Sequence, residues 1–177
     1  MKNFFVLLFV LMISLNKAQV SWMTLEQATE AQKTNPKKIL IHFYADWCAQ
    51  CKLIEKNTFS NPVITQTINE QFYPVKFNSE GNETVSLMGR TFTNENFVAG
   101  KNKNSLHDFT KFMNVNAVPA IVFLDLKNQP ITMLQGALTA KELEPYLILI
   151  SADEYKKIDT RDKWENYQKK FKSNIKD

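Results

Sequence analysis

The two cysteines of the chain, Cys48 and Cys51, are separated by two residues in the segment WCAQCK. Two cysteines with this spacing can close a disulfide without strain when they occupy the first turn of a helix, because that turn brings their Cα atoms to about 5 to 6 Å. The free N–H groups and the positive dipole end of such a helix favour the thiolate of the first cysteine. Cys48 is therefore predicted to attack a disulfide, and Cys51 to resolve the mixed disulfide by attacking Cys48.

Two other uses of this motif, a metal site and a structural bridge, have less support. A structural zinc site takes four ligands, and besides the cysteines the chain offers only His42 and His107, which are far apart and not in a paired spacing. No metal and no cofactor other than the disulfide itself is expected. A purely structural bridge over so short a loop would remove little chain entropy and would add little stability.

The composition is that of one globular domain with a buried core. Of the 177 residues 44% are hydrophobic, and 13 are Phe, so large apolar surfaces are available for burial. The 22 Lys and Arg residues are dispersed among 18 Asp and Glu residues, which gives a net charge of +4 without a basic block. A nucleic-acid partner is therefore not expected, and we expect a monomer.

Residues 1–18 have the pattern of an export signal. Lys2 supplies a positive charge, an apolar run follows from Phe4 to Leu15, and Ala18 is the expected last residue before cleavage. The run is about 12 residues long, whereas a membrane-spanning helix needs about 20, so no membrane span is expected after the signal is removed. This predicts a periplasmic or otherwise extracytoplasmic location, where disulfides persist.

Hydrophobic periodicity and turn residues predict an alternation of helices and strands. Helices are predicted over 24–32, 48–57, 62–72, 105–113 and from 139 onward, and strands over 39–44, 72–77, 119–125 and 131–135. Thr24 and Thr139 are predicted to open their helices with capping boxes, whereas Pro145 should kink the second of these or delay its start. The order of elements predicts an α/β fold with a mixed central sheet flanked by helices.

Two segments stand apart from this pattern. Residues 78–104 are polar and contain three of the four glycines, so they are predicted to be an insert, to which no structure is assigned. Residues 151–177 are predicted to form a C-terminal helical extension. Its Trp164, Tyr167 and Phe171 share one helical face, which is expected to dock on the core.

The segment ILIHFYADWCAQCK, residues 39–52, resembles the active-site strand and helix of the thioredoxin superfamily. Its continuation LIEKNTFSNP, residues 53–62, resembles the C-terminal thioredoxin-like domain of the DsbD-type disulfide reductases. The sequence VPA at 118–120 matches the cis-proline segment of that family, and QGALT at 135–139 matches its last strand-to-helix turn. The resemblance implies a thioredoxin-like domain over residues 19–150, with the insert before the cis-proline segment and an extra C-terminal helix.

The same resemblance implies how a substrate is held. Pro119 is expected to be cis and to lie beside the cysteine pair, and the backbone of Val118 would pair with an extended segment of the partner protein. Trp47 would shield the disulfide and offer apolar contact to the partner. The alternatives are an ordinary turn proline at position 119 and simple packing of Trp47.

Two further residues are candidates for proton transfer. Glu55 lies four residues after Cys51, so on a helix it either accepts the proton of that cysteine or forms an ion pair with Lys52 or another nearby lysine. His42 stands where the resemblance implies a buried Asp under the resolving cysteine. It either takes over proton transfer or is a core histidine with satisfied hydrogen bonds. His107 is expected at the surface.

These residues together predict an exported thiol-disulfide oxidoreductase that reduces disulfides of protein substrates through a Cys48/Cys51 cycle. Reduction in an oxidising compartment needs electrons, which the resemblance suggests come from a membrane donor protein. One alternative is a disulfide oxidase or isomerase of folding exported proteins. Another is a redox-inert thioredoxin-fold binding module that uses residues 78–104 and the C-terminal tail as binding surfaces.

Overall fold

The structure, a computed structural model, describes residues 19–176, so the predicted signal peptide over residues 1–18 lies outside the described residues. None of the helices in the described range combines the length and the hydrophobicity needed to cross a bilayer. The helices are α1 (Leu25–Thr34), α2 (Ala49–Asn57), α3 (Pro62–Gln71), α4 (Asp108–Phe112), α5 (Ala140–Ser151) and α6 (Arg161–Lys170), with a 3₁₀ turn at Glu154–Lys157. The strands are β1 (Lys38–Tyr44), β2 (Phe72–Asn78), β3 (Val85–Leu87), β4 (Arg90–Phe92), β5 (Ala120–Leu124) and β6 (Pro130–Gln135).

A four-stranded mixed sheet in the order β2-β1-β5-β6 forms the centre of the fold. The first pairing is parallel and runs from Lys38 opposite Phe72 to Tyr44 opposite Asn78. Strand β5 is antiparallel to β1, and the edge strand β6 is antiparallel to β5. The predicted thioredoxin-like arrangement, a mixed sheet flanked by helices, is confirmed.

Successive side chains of β1 point to opposite faces of this sheet. Ile39, Ile41 and Phe43 belong to an apolar cluster with residues of α1, α4 and the strand β3. Leu40 belongs to a second cluster, which contains residues of α2, α3 and α5. His42 alternates with the first set and so lies on the face that carries the cysteine helix α2.

The insert, to which the sequence assigned no structure, contains a β-hairpin. Strands β3 and β4 pair in an antiparallel manner around a turn at Met88 and Gly89, which both have positive φ, 53° and 74°. Val85, Leu87 and Phe92 of this hairpin are buried in the cluster that includes α1 and α4. The hairpin of the insert is therefore packed against the core, whereas residues 98–103 of the insert are exposed.

The start of α4 and the surroundings of His107 differ from the prediction. Helix α4 begins at Asp108 and not at residue 105, and its cap is His107, whose Nδ1 accepts a hydrogen bond from the backbone N–H of Phe109 at 3.0 Å. His107 is fully buried and not at the surface. Its Nε2 lies 2.6 Å from the carbonyl oxygen of Glu83, and its ring meets Phe77 edge-on.

Helix α5 begins where its capping box places it, despite the internal proline. Thr139 and Glu142 exchange the two capping hydrogen bonds, and the helix continues through Pro145, so the expected delay of its start is wrong. The Pro145 carbonyl accepts a hydrogen bond from the hydroxyl of Tyr167 in α6, at 2.9 Å. The capping box at Thr24 is also present.

The C-terminal segment is fastened to α5 at two places. Rings of α6 stack on the helix, with Trp164 and Tyr146 at a centroid distance of 4.5 Å. Further along, the fully buried carboxylate of Glu144 accepts hydrogen bonds from the hydroxyl of Ser173 at 2.5 Å and from the N–H of Asn174 at 2.8 Å. The aromatic face that the sequence predicted to dock on the core lies against α5.

Candidate active site

The two cysteines form a disulfide at the N-terminus of α2. Cys48 is the N-cap of the helix, its Sγ accepts a hydrogen bond from the N–H of Cys51 at 3.0 Å, and the two Cα atoms are 5.2 Å apart. Cys48 is 3% exposed and Cys51 is 1% exposed. The pair therefore occupies the helix start that the spacing predicts, with Cys51 the more deeply buried of the two.

The proline segment predicted to lie beside the disulfide does so. The Val118–Pro119 peptide bond is cis, and the Val118 side chain packs in the same small cluster as Ala45 and the two cysteines. The Pro119 carbonyl accepts a hydrogen bond from the N–H of Gly136 at 2.9 Å. Within residues 19–176 the backbone N–H and C=O of Val118 have no hydrogen-bond partner, so they are free to pair with an added strand.

Trp47 is 39% exposed next to the disulfide, and two groups from the insert side of the molecule hold it. Its indole N–H donates a hydrogen bond to Glu80 Oε2 at 3.1 Å, and the Lys103 ammonium lies 4.8 Å from the centroid of its ring. The indole therefore has a fixed orientation and still presents apolar surface beside the disulfide.

His42 is fully buried and has unusual surroundings for a titratable side chain. Its ring lies near the rings of Phe59, Trp22 and Tyr44, at centroid distances of 5.0, 5.9 and 6.2 Å. Neither ring nitrogen makes a hydrogen bond of good geometry within the described chain, and Glu55 Oε1 lies 3.5 Å from Nε2. Burial lowers the pKa of His42 below its usual 6.5, against the opposing effect of Glu55, so the ring is neutral at neutral pH.

Glu55 links His42 to a lysine that the sequence analysis missed. The Lys76 ammonium lies 2.9 Å from Glu55 Oε1 and 3.0 Å from Oε2, and also 4.5 Å from the centroid of the Tyr44 ring. The pKa of Glu55 is lowered to about 2, first by its contact with the His42 side chain and then by Lys76, while partial burial acts in the opposite direction. The ion-pair alternative for Glu55 is present in the structure, with Lys76 and not Lys52.

Lys76 could have been found only from the strand register. It stands directly opposite His42 in the parallel pairing of β2 with β1, which no local motif in the sequence encodes. Glu80 was missed for the same reason, because the insert brings it to Trp47 across 33 residues of sequence. Among residues 19–176, no three His, Cys, Asp or Glu side chains are grouped so that they could hold a metal ion.

Comparison with known proteins identifies the family. The family model for a thioredoxin-like domain matches residues 25–150. The chain belongs to the thioredoxin-like family. A thioredoxin from Thermus thermophilus has a TM-score of 0.55 at 14% identity, covering 75% of this chain and 87% of that one. A thioredoxin-fold protein from Helicobacter pylori also has a TM-score of 0.55, at 20% identity and with 76% and 84% coverage.

Among curated proteins, the thiol:disulfide interchange protein DsbD of Salmonella choleraesuis (strain SC-B67) is 31% identical over 126 residues. The match covers 70% of this chain and 18% of that protein, so the chain spans less than a fifth of the length of this relative. Together, the family and the disulfide at the helix N-terminus make this chain a thiol-disulfide oxidoreductase.

Proposed function

We propose that this protein is exported and that it reduces disulfides of protein substrates through the Cys48/Cys51 pair. One observation carries the proposal: the disulfide lies at the N-terminus of α2, directly beside a cis-proline segment whose Val118 backbone groups have no hydrogen-bond partner in the described part of the chain. A substrate strand can pair with those backbone groups and bring its own disulfide to Cys48. The redox-active disulfide is the only cofactor that the proposal needs.

The reaction transfers two electrons from the cysteine pair to the substrate. The Cys48 thiolate attacks one sulfur of the substrate disulfide, which forms a mixed disulfide and releases the first substrate thiolate. The Cys51 thiolate then attacks Cys48 Sγ, which forms the Cys48–Cys51 disulfide and releases the second substrate thiolate. The two protons of the pair pass to the released thiolates. A dithiol of a membrane donor protein returns the two electrons.

His42 and Glu55 assist the removal of the proton that Cys51 must lose in the second step. The neutral imidazole is the better base of the two, because the pKa of Glu55 is lowered to about 2 and its carboxylate has little affinity for a proton near neutral pH. Glu55 then has a positioning role. Its negative charge, 3.5 Å from His42 Nε2, stabilises the imidazolium that forms, and Lys76 holds it in place.

Trp47 contributes to substrate binding. Its exposed indole offers apolar contact to a protein substrate beside the reacting sulfur. Reduction is supported by the resemblance of residues 39–62 to DsbD-type domains, which pass electrons outward and receive them from a membrane partner. The same resemblance and the signal-like residues 1–18 support a periplasmic or other extracytoplasmic location.

The first test is the reduction potential of the cysteine pair, measured by equilibration in glutathione or dithiothreitol buffers with a mass readout. A value near about −270 mV, or between it and the range of about −200 to −230 mV, supports a reductase. A value near about −120 mV would make the protein an oxidant of folding proteins. A pair that fails to exchange at all would leave a redox-inert binding module.

Trapping of the intermediate tests the assignment of the two cysteines. The variant Cys51→Ser should accumulate a mixed disulfide through Cys48 with a disulfide-containing protein such as insulin, because resolution is blocked. The matched variant Cys48→Ser should accumulate far less, since Cys51 is the more deeply buried sulfur. Equal trapping by the two variants would contradict the assignment of Cys48 as the nucleophile.

A further inference from the structure

An open cavity of about 340 Å³ lies between the insert and the two segments that flank the redox pair. Trp47 from the segment before α2 forms one side, and Val118 from the cis-proline segment forms another. The insert supplies the third side through Lys103, Asn104 and neighbouring residues. A substrate strand paired with Val118 would direct alternate side chains to one face, and a side chain next to the reacting cysteine would be within reach of this cavity.

The wall that the insert supplies is fastened to Trp47 and is not a free loop. Glu80 Oε2 accepts hydrogen bonds both from the Trp47 indole at 3.1 Å and from the backbone N–H of Asn104 at 2.6 Å. The Asn94 side chain donates to the Ser105 carbonyl at 2.9 Å, which holds the chain that follows the wall. The cavity is thus formed before any substrate arrives, which lowers the entropic cost of binding.

The cavity contains one cation and several polar groups that can donate a hydrogen bond. Glu80 is only 7% exposed, and its carboxylate is already engaged by two N–H groups. Lys103 forms no ion pair anywhere in residues 19–176, and its one recorded interaction is with the Trp47 ring. The side-chain amide of Asn116 has no partner within the same range, and neither has the buried hydroxyl of Ser79. Lys103, Asn116 and Ser79 can each donate a hydrogen bond to a carboxylate, and the Lys103 charge offsets the repulsion from Glu80.

We propose that this cavity is a specificity pocket for protein substrates that carry an acidic side chain close to the reacting cysteine, with Lys103 as the residue that selects it. The proposal rests on the proposed function, because it concerns substrates of the Cys48/Cys51 pair. It assigns the insert a role in substrate selection. Lys103 is exposed, so the expected selectivity is modest and decreases as salt screens the charge.

The test uses short peptides in which a single cysteine is linked to 2-mercaptoethanol through a disulfide. Each peptide of the first set carries one Glu, placed one or two residues before or after the cysteine. Matched sets carry Gln or Lys at the same positions. The reduced protein is mixed with each peptide, and the rate of its conversion to the oxidised form is followed by mass. Each conversion yields the Cys48–Cys51 disulfide, free peptide thiol and free 2-mercaptoethanol.

For at least one position, the Glu peptide should react about 3- to 5-fold faster than the Gln peptide at low salt, and the advantage should fall below 2-fold in 0.5 M NaCl. The variant Lys103→Glu should change the ratio of Glu to Lys peptide rates by about 10-fold in favour of Lys. The matched control is Lys101→Glu, which makes the same change in net charge two residues away but outside the cavity lining. It should change the ratio by less than 2-fold.

Three results would overturn the proposal. Equal rates for Glu and Gln peptides at every position would remove the selectivity, and an unchanged ratio in Lys103→Glu would remove the role of that residue. An equal change of the ratio in Lys101→Glu would assign the effect to overall surface charge. If the neutral Gln peptides do not react at all, the proposed function itself fails, which is a distinct result from reaction without selectivity.

Discussion

Two fully buried histidines on opposite faces of the central sheet have opposite surroundings. On the insert face, His107 caps α4, contacts the Glu83 carbonyl through Nε2 and accepts the Phe109 N–H at Nδ1. On the face that carries the cysteine helix, neither ring nitrogen of His42 makes a hydrogen bond of good geometry within residues 19–176, and Glu55 Oε1 lies 3.5 Å from Nε2. One ring has both nitrogens engaged, and the other has neither.

The difference separates a structural histidine from one that stability does not explain. A buried polar group with good partners adds to stability and fixes the local structure, whereas a buried group without partners lowers stability. His107 joins the insert to α4 and so serves the fold. His42 makes no comparable contribution to stability. It lies on the face of β1 next to the helix that carries Cys51. Three substitutions and the pH dependence of stability test this contrast.

The largest effect is expected for His107→Ala. The substitution removes the cap of α4, leaves the Phe109 N–H without its acceptor and opens a cavity beside Phe77, so the free energy of unfolding should fall by about 3 to 4 kcal/mol. Urea unfolding of the oxidised protein measures it. A loss below about 1 kcal/mol would show that the His107 contacts are not structural.

The next effect concerns the rate and not the stability. In His42→Leu an apolar side chain of similar size replaces an imidazole without hydrogen bonds, so the free energy of unfolding at pH 7 should stay within about 1 kcal/mol of the wild type. Resolution of the mixed disulfide should slow on the order of 100-fold, since the base is gone. Stopped-flow measurement of the second step would check this. An unchanged rate with large destabilisation would make His42 a structural residue like His107.

The dependence of the free energy of unfolding on pH also reports on His42. Burial lowers the pKa of His42 in the folded state, so below about pH 6.5 the unfolded chain binds a proton that the folded protein does not. The stabilising contribution is complete above pH 6.5 and is lost as the pH falls towards the folded-state value, by at most about 1.4 kcal/mol per pH unit. Unfolding between pH 7 and 5 should show this slope in the wild type and a smaller slope in His42→Leu. Parallel curves for the two proteins would contradict the prediction.

The smallest effect is expected for Lys76→Met, which removes the cation beside Glu55. The pKa of Glu55, now lowered to about 2, should move up towards 4.5, and stability at pH 7 should fall by about 1 kcal/mol. Titration of the Glu55 carboxyl by NMR measures the first. Lys52→Met is the matched control, because Lys52 is the lysine that the sequence suggested and the structure does not place at Glu55. A shift of the Glu55 pKa in the control alone would reverse the assignment.

Local patterns predicted the helices and the redox motif well because their causes are local. The capping boxes at Thr24 and Thr139 each depend on residues within one helical turn, and both are present. The cysteine spacing likewise placed the pair at a helix start, with Cys48 as the cap. Such features need no knowledge of the rest of the chain.

The partners of the site depend on contacts that are distant in sequence, and these could not be predicted. Lys76 reaches Glu55 only because β2 pairs with β1 in one register. His107 is buried because the insert folds back and presents the Glu83 carbonyl to it. The hairpin turn at Met88 was missed because a methionine with positive φ is an uncommon turn residue.

The buried carboxylate of Glu144 sets a practical limit on the shortest stable form of this protein. Within residues 19–176 this carboxylate accepts two hydrogen bonds, from the hydroxyl of Ser173 and from the N–H of Asn174. Proteolytic trimming before Ser173 would remove both of these donors from the Glu144 carboxylate, and the loss of hydrogen bonds to a charged group lowers stability. Resistance of the tail to carboxypeptidase digestion is therefore an inexpensive reporter of whether α5 is correctly folded.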